Sequence, residues 1–309
     1  MQSDMACWRA SGRYGWRSAV PGSGYVRPGL RVEPSTGSST ANNGPVPTTE
    51  GRPPHGSAQR DRPALHRLWP AGGDPGPLSD DDILAAYPTP DGDSLLRVNF
   101  VSSVDGSVTL KGRSGTLGGA ADRRVFHLLR VACDAVMVAA GTIRIEQYGP
   151  LGVAEPLQRM RQEQGRTPDP VLVIVTRRLV FDPNHPLFAQ APQRPVIVTT
   201  EDTRAEAGDR FSKVADVLGF GSGDVDLTAA VAALAARGLR HVLCEGGPHL
   251  LGSLLVPDLV DELCLTLAPK LVGPGPGRIV AGAPGPVRDL ALGHVFASGD
   301  ELFLRYVRP

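Results

Sequence analysis

The chain has 309 residues, and its 32 Lys and Arg balance its 32 Asp and Glu, so the formal net charge is zero and the clustered basic excess of a general nucleic-acid binder is missing. Hydrophobic residues make up 41% and charged residues 21%, as in an ordinary soluble globular protein. The four cysteines contain no C-x-x-C pair, which excludes a recognisable zinc ribbon or disulfide framework and favours a reducing, cytoplasmic location.

The first 60 residues differ in composition from the rest. They contain nine Gly, seven Pro, and seven Arg against three acidic residues, a net charge of 7 − 3 = +4. So few branched apolar residues cannot bury enough surface to offset the entropy of ordering, so we predict that residues 1–60 are a disordered low-complexity extension. They lack the apolar core of a secretory signal, and a dispensable tail or a start codon placed too early is the favoured interpretation. No run of about 18 apolar residues predicts a membrane span.

Residues 61–92 are predicted to be a linker with one short helix at 80–87, which Pro88 and Pro90 end. From residue 93 onwards, strands alternate with helices. The predicted strands lie at 95–101, 135–139, 171–175, 196–198, 214–218, 241–244, 262–268 and 301–307, and the main predicted helices lie at 122–131, 155–164, 227–236 and 250–255.

This alternation predicts an α/β domain over residues 93–309, with a mainly parallel central sheet and helices on both faces. The last two predicted strands have no evident helix between them. We therefore expect antiparallel strands at the C-terminal edge of the sheet.

The turn after the strand 241–244 is one candidate site. Glu245 comes at the carboxyl end of this strand, where open α/β sheets bind their ligands, and Gly246 and Gly247 precede the next helix. Two glycines let a ligand approach the backbone closely, and the N–H groups of a helix start favour a phosphate. A tight turn with a capping acid explains the same residues equally well.

A second strand ends near Gly141, and Thr142 and Glu146 follow it. Thr142 is predicted to be the N-cap of the next helix, with Glu146 one turn further on the same side. The Thr142 hydroxyl could donate to a phosphate or an amide, but an ordinary helix cap is the favoured interpretation.

Small polar residues follow the first strand of the domain, at 102–106 and 112–116. They are consistent with the lining of a cleft and equally with an ordinary loop. On the next helix, Arg123 and Arg130 share a face, so one of them could reach an anionic substrate, although solvated helix arginines are more common.

Several familiar sites are excluded by their missing signatures. The chain has no G-x-G-x-x-G after a strand and no P-loop. It also has no zinc-deaminase signature, no G-x-S-x-G nucleophile elbow, and no metal-ligand spacing among its seven histidines. We therefore predict a site without a metal ion.

Five segments in register are together similar to the pyrimidine reductase domain of the riboflavin-biosynthesis deaminase–reductase family. They are 100–106, 123–130, 141–146, 245–250, and 260–263 with 268–273. The resemblance covers about residues 93–308. It implies a dihydrofolate-reductase-like fold, NADPH as cofactor, and reduction of the ribosyl group of 5-amino-6-(5-phosphoribosylamino)uracil to ribityl. It further implies a homodimer that acts on a small molecule, with no nucleic-acid or membrane partner.

The same resemblance assigns site residues. Glu245 would be the catalytic carboxylate, orienting the ribose hydroxyls or relaying a proton. Ser114, Arg130 and Glu245 would face the substrate, with Arg130 neutralising its 5′-phosphate. The residues expected near the cofactor are Val101, Thr116, Thr142, Glu146, Gly247, Pro248, His249, Leu250, Leu251, Gly252 and Ser253. The 2′-phosphate of NADPH needs a cation, for which Arg177, beside Arg178, is the candidate; both could equally be solvated edge arginines.

The chain also departs from the family pattern. Asn99 stands where the riboflavin enzymes often carry lysine, and residues 147–153 lack the Asp-Pro and the following arginine that are typical of them. No deaminase domain is recognised, so we expect a stand-alone reductase. Two alternatives stay open: a paralogue that reduces dihydrofolate or another pteridine- or pyrimidine-like compound, and a non-catalytic nucleotide-binding protein.

Overall fold

The computed structural model describes residues 63–72, 76–275 and 277–309, so the prediction for residues 1–60 lies outside the described residues. Within these ranges, ten strands form one sheet. They are β1 (His66–Trp69), β2 (Leu95–Ser103), β3 (Ala135–Ala139), β4 (Val171–Val175), β5 (Val196–Thr199), β6 (Asp216–Gly219), β7 (His241–Cys244), β8 (Glu262–Ala268), β9 (Ala291–Ser298) and β10 (Glu301–Val307).

Eight helices connect or flank these strands in the described part of the chain. They are α1 (Asp80–Ala85), α2 (Ala120–Val131), α3 (Ala140–Glu146), α4 (Glu155–Glu163), α5 (Pro186–Ala189), α6 (Glu201–Ala207), α7 (Leu227–Ala236) and α8 (Pro248–Leu255). None of the helices in these ranges is long and apolar enough to cross a bilayer.

The strand order is β1-β9-β10-β8-β2-β7-β3-β4-β5-β6. From β8 to β6 all neighbours run parallel, whereas β1, β9, β10 and β8 pair antiparallel. The structure thus confirms the predicted fold class, a mainly parallel sheet with an antiparallel C-terminal edge.

Helices cover both faces of the sheet because the central strands are apolar on both sides. In β3, Val136 and Val138 pack with α1 and α2, while Met137 packs with α7 and α8 on the opposite face. The alternation of side chains along a strand produces this division into two cores.

The sequence missed two antiparallel strands, β1 and β9. All four residues of β1 are exposed, so no hydrophobic alternation marks it. The eight residues of β9 include Gly293 and His294, which weaken the strand pattern. Both strands extend the antiparallel end of the sheet, where β9 pairs with β10 and β1 pairs with β9.

Candidate active site

The site lies where the carboxyl ends of β2, β7 and β3 meet. Because β7 sits between β2 and β3 and all three run parallel, the segments that follow them emerge at one edge of the sheet. β3 passes directly into α3, and β7 ends in the turn 245–247 that leads to α8. Two turns that are about 100 residues apart in sequence are therefore neighbours.

The prediction that Thr142 caps α3 is wrong. The helix begins as soon as β3 ends, so Ala139 is its N-cap and Thr142 lies within the first turn. This frees the Thr142 hydroxyl from helix capping and turns it toward Gly247. A Cβ built on Gly247 would lie 2.6 Å from Thr142 Oγ1, so only glycine fits at this position without a shift.

The glycine turn is further fixed by its backbone. Gly246 has a φ of +100°, which favours glycine, and its carbonyl accepts a hydrogen bond of 2.8 Å from the Ala139 N–H. The peptide bond between Gly246 and Gly247 is cis. The end of β3 and the turn after β7 are thus bonded to each other directly.

A cleft of about 1080 Å³ opens beside this contact. Its walls come from the start of α3, the segment after β4, the segment before α7, and α8. Seven of the residues predicted to contact the cofactor line it: Thr142, Arg177, Gly247, Pro248, His249, Leu250 and Ser253.

The N-terminus of α8 suits this cleft to phosphate. An α-helix leaves its first N–H groups without partners inside the helix, and here the N-cap is Gly247, which has no side chain to satisfy them. Pro248 at the first position lacks an N–H and begins α8 two residues before the predicted start. The N–H groups of His249 and Leu250 at this helix start, and the cations Arg177 and Arg178 that also line the cleft, are suited to anionic groups of a ligand.

The Arg177 guanidinium also has a partner in the structure. Its Nη1 lies 3.0 Å from Asp224 Oδ1, and both side chains are mostly exposed. Asp224 lines the same cleft. A phosphate at this end of the cleft would compete with the Asp224 carboxylate for Arg177.

The other five predicted cofactor residues do not line the cleft. Val101 is half-buried in β2, and the Thr116 hydroxyl donates to the carbonyl of Leu110. Glu146 accepts hydrogen bonds from the N–H and the hydroxyl of Ser114, at 2.8 and 2.9 Å. The loop after β2 is thereby tied to the end of α3.

Leu251 and Gly252 face away from the cleft because of the helical repeat of α8. Leu251 is buried in the core, and a Cβ on Gly252 would overlap the carbonyl of Ala281. Within the segment 247–253, which was expected to lie against the cofactor, these two residues therefore contribute to packing and not to the wall of the cleft.

At the end of β7, Glu245 forms a buried ion pair. Its Oε1 lies 2.6 Å from Arg130 Nε and its Oε2 lies 2.7 Å from Arg130 Nη2. The Tyr148 hydroxyl donates to Glu245 Oε2 at 3.0 Å. The Arg130 guanidinium also lies over the ring of Phe126, 4.4 Å from its centroid.

These contacts set the charges of the cluster. Burial alone would lower the pKa of Arg130, but the charge and hydrogen bonds of Glu245 outweigh it and raise that pKa. Burial and the neighbouring Glu245 charge raise the pKa of Tyr148 well above its ordinary value. Arg130 is therefore cationic and Tyr148 neutral at any physiological pH. A phosphate contact by Arg130 would have to use its remaining Nη1 or displace Glu245.

Sequence reasoning missed Tyr148 and Asp224. Tyr148 lies in the segment that departs from the family pattern, and 97 residues separate it from Glu245. Asp224 lies in a loop of small and acidic residues with no periodicity. No signal in the sequence links either residue to its partner.

Comparisons with known proteins agree with this geometry. The sequence model of the RibD C-terminal domain family matches residues 94–304. The 2,5-diamino-6-ribosylamino-4(3H)-pyrimidinone 5′-phosphate reductase of Archaeoglobus fulgidus is 30% identical over 180 residues, 57% of this chain and 80% of that protein. The protein of the same name from Methanothermobacter thermautotrophicus is 26% identical over 68% of this chain and 95% of its own length.

Among solved structures, a pyrimidine reductase-like protein from Corynebacterium diphtheriae is similar to this chain. It shares 29% identity and a TM-score of 0.63, over 69% of this chain and 91% of its own. The family match covers the sheet from β2 into β10 and every segment that builds the cleft, and it leaves out β1. The chain therefore belongs to the RibD C-terminal domain family, the pyrimidine reductases of riboflavin biosynthesis.

Proposed function

We propose that this chain is an NADPH-dependent reductase that converts the ribosyl group of 5-amino-6-(5-phosphoribosylamino)uracil to ribityl. The observation that carries the proposal is the contact of Thr142 with Gly247 at the mouth of the cleft. Gly247 comes two residues after Glu245 in the sequence. A cofactor cleft and a buried carboxylate thus adjoin at one edge of the sheet. Family membership supports the reductase class.

The cleft supports NADPH as the cofactor. The N–H groups of His249 and Leu250 would hold the diphosphate, and Arg177 would neutralise the 2′-phosphate. Gly247 lines the cleft without a side chain, so the cofactor could approach its backbone closely. When bound, NADPH supplies the hydride for the reduction.

At the substrate end, Glu245 would orient the sugar. The reducible atom is C1′ of the open-chain imine, which gains a hydride while the adjacent nitrogen gains a proton. Both oxygens of Glu245 are held by Arg130, so the carboxylate is suited to accepting hydrogen bonds from the ribose hydroxyls. Holding donor and acceptor atoms in line is the main catalytic contribution of the protein in such a hydride transfer.

A second substrate is favoured by the names of the relatives. Three of them are reductases of 2,5-diamino-6-ribosylamino-4(3H)-pyrimidinone 5′-phosphate. This compound carries an amino group at ring position 2 where the uracil compound carries an oxygen, and the reacting sugar is the same. The proposed geometry at Glu245 applies equally to both, so only a direct comparison separates them.

A substrate panel tests the proposal. Purified protein is mixed with NADPH and the phosphoribosylamino-uracil, the diaminopyrimidinone phosphate or dihydrofolate, and the loss of NADPH absorbance is followed. We expect NADPH to be oxidised when the phosphoribosylamino-uracil is present. Turnover only with the diaminopyrimidinone would reassign the substrate, and turnover only with dihydrofolate would support the paralogue. Tight NADPH binding without any turnover would make the chain a nucleotide-binding protein.

The homodimer and the cytoplasmic location stay predictions. Sedimentation analysis of the purified full chain tests the first, and fractionation of cells that express a tagged full chain tests the second. A monomer at micromolar concentration would overturn the homodimer.

A further inference from the structure

The orientation of Glu245 depends on groups from two other segments of the chain. Its backbone N–H donates to Met137 O at 3.0 Å, whereas the hydrogen bonds to its carboxylate come, among the described residues, from side chains. Arg130 reaches Glu245 from α2, and Tyr148 reaches it from the turn after α3. The carboxylate is therefore clamped from two sides.

The backbone at the end of α3 directs Tyr148 to this position. Gln147 has φ +56° and ψ +52°, the left-handed conformation that commonly ends a helix. This turn bonds the Tyr148 N–H to Ile143 O at 3.0 Å, and the half-buried ring packs on the apolar core. A glycine or asparagine is the usual residue in this conformation, so a glutamine there indicates that the surrounding packing determines the turn.

We propose that Tyr148 is a positioning residue, whose hydroxyl together with the Arg130 guanidinium holds the Glu245 carboxylate in one orientation and keeps it a hydrogen-bond acceptor. This inference rests on the proposed reductase function and deepens it. Arg130 donates to both Glu245 oxygens, and the Tyr148 hydroxyl donates to Oε2 alone. The remaining lone pairs of Oε1 and Oε2 then face a defined direction for the substrate hydroxyls.

The charge environment supports an acceptor role. The titratable groups that face Glu245 are Arg130, His127, Tyr148, Cys133 and Cys244. Burial raises the pKa of both thiols to about 12, so neither is charged at neutral pH. Burial and Arg130 lower the pKa of His127, so this side chain is neutral at and above neutral pH. The Arg130 cation and the Tyr148 hydroxyl are thus the groups that stabilise the Glu245 anion.

Tyr148→Phe tests the proposal because it removes one hydroxyl and keeps the ring. A hydrogen bond to a charged group is lost, so we expect kcat/KM for the substrate to fall about tenfold. The dissociation constant for NADPH stays unchanged, because Tyr148 does not line the cleft. A purely structural role would lower the free energy of unfolding without lowering kcat/KM of the folded protein.

Two further variants sharpen this test. Tyr306→Phe, on β10, is the matched control for a lost tyrosine hydroxyl and keeps the wild-type kcat/KM. In a Glu245→Gln background, Tyr148→Phe has little further effect, since the two residues act as one unit.

A readout without turnover separates this proposal from the proposed function. Protein labelled with ¹³C at the glutamate carboxyl carbon is studied by NMR, and the Glu245 resonance is assigned with Glu245→Gln. Because the Tyr148 hydroxyl bonds to Glu245 Oε2, we expect the chemical shift of this carboxyl carbon to change in Tyr148→Phe and to stay the same in Tyr306→Phe, even if no substrate of the panel is reduced. An unchanged Glu245 chemical shift in a folded Tyr148→Phe protein would overturn the positioning role.

Discussion

Thr142 and Gly247 face each other so closely that a Cβ on Gly247 would lie 2.6 Å from Thr142 Oγ1. One residue belongs to the first turn of α3 and the other is the N-cap of α8. The contact joins the start of α3 to the start of α8 at the mouth of the cleft, where one added methyl group would disturb both.

Gly247→Ala is therefore expected to weaken NADPH binding. The added methyl must displace Thr142 or tilt the start of α8, which moves the N–H groups of His249 and Leu250. We expect the dissociation constant, measured by nucleotide fluorescence, to rise about tenfold or more, equivalent to about 1.4 kcal/mol.

The double variant Thr142→Ala/Gly247→Ala is the control for this steric account. Removing the Thr142 hydroxyl gives the new methyl room, so the double variant should bind NADPH more tightly than Gly247→Ala alone. A double variant whose loss of NADPH affinity equals the sum of the losses in Thr142→Ala and Gly247→Ala would contradict this steric explanation.

Arg177 should distinguish NADPH from NADH. Arg177→Ala removes a cation that would pair with the 2′-phosphate, so NADPH binding should weaken about tenfold while NADH binding stays nearly constant. Asp224→Asn is the matched opposite change, because it releases Arg177 from its 3.0 Å ion pair. Asp224→Asn should therefore bind NADPH slightly more tightly. If Arg177→Ala lost affinity equally for NADPH and NADH, Arg177 would be excluded as the residue that discriminates between them.

The parallel strands were predictable from the sequence almost to the residue. Strands such as β3 and β4 are short runs of residues that are apolar on both faces, so the run itself marks the strand. Strands β1 and β9 were not, because all four residues of β1 are exposed and Gly293 and His294 weaken the strand pattern of β9. Their positions depend on tertiary pairing, of β9 with β10 and of β1 with β9.

The site was predictable in part. The glycine turn after Glu245 and the turn at Thr142 each follow a strand end, so their meeting follows from a parallel sheet with β7 between β2 and β3. The pairing of Tyr148 with Glu245 was not predictable, because it depends on the left-handed conformation of Gln147, which glutamine rarely marks.

Glu262 is expected to be important for stability. It lies between Arg97 and Arg305, with Arg97 Nε 2.6 Å and Arg305 Nε 3.1 Å from its Oε2, and all three side chains are largely buried. Glu262→Gln would leave two buried cations without their anion, so the free energy of unfolding should fall by about 3–5 kcal/mol.

An exposed pair provides the comparison for Glu262. Glu155 and Arg159 are 3.6 Å apart on α4, with side chains 75% and 64% exposed. Glu155→Gln should change the free energy of unfolding, measured by denaturant titration, by less than about 1 kcal/mol. A Glu262→Gln protein as stable as Glu155→Gln would show that the buried cluster contributes little.

His294 should make the fold sensitive to acid. Burial, reinforced by Arg305 and Arg67, lowers the pKa of His294 from 6.5 to about 3. Between these values the unfolded chain binds the proton and the folded chain does not, so stability is full above about pH 6.5 and falls as the pH drops toward 3. The slope from this one group is about 1.4 kcal/mol per pH unit.

His294→Phe removes this titration and keeps an aromatic ring in the stack with Phe296, whose centroid lies 4.0 Å away. Its free energy of unfolding should fall less steeply between pH 6 and pH 4 than that of the wild type, as measured by urea titration at each pH. Parallel slopes in the two proteins would mean that His294 becomes protonated without unfolding.

Transfer of isotope from cofactor to product measures the central claim most directly. Wild-type protein is incubated with the phosphoribosylamino-uracil and NADPH that carries deuterium on either face of nicotinamide C4, and the product is analysed by mass spectrometry and NMR. The account predicts one deuterium at C1′ of the ribityl chain from one of the two labelled forms. Reduced product without deuterium from either form, or labelled NADPH that stays bound and unoxidised, would contradict it.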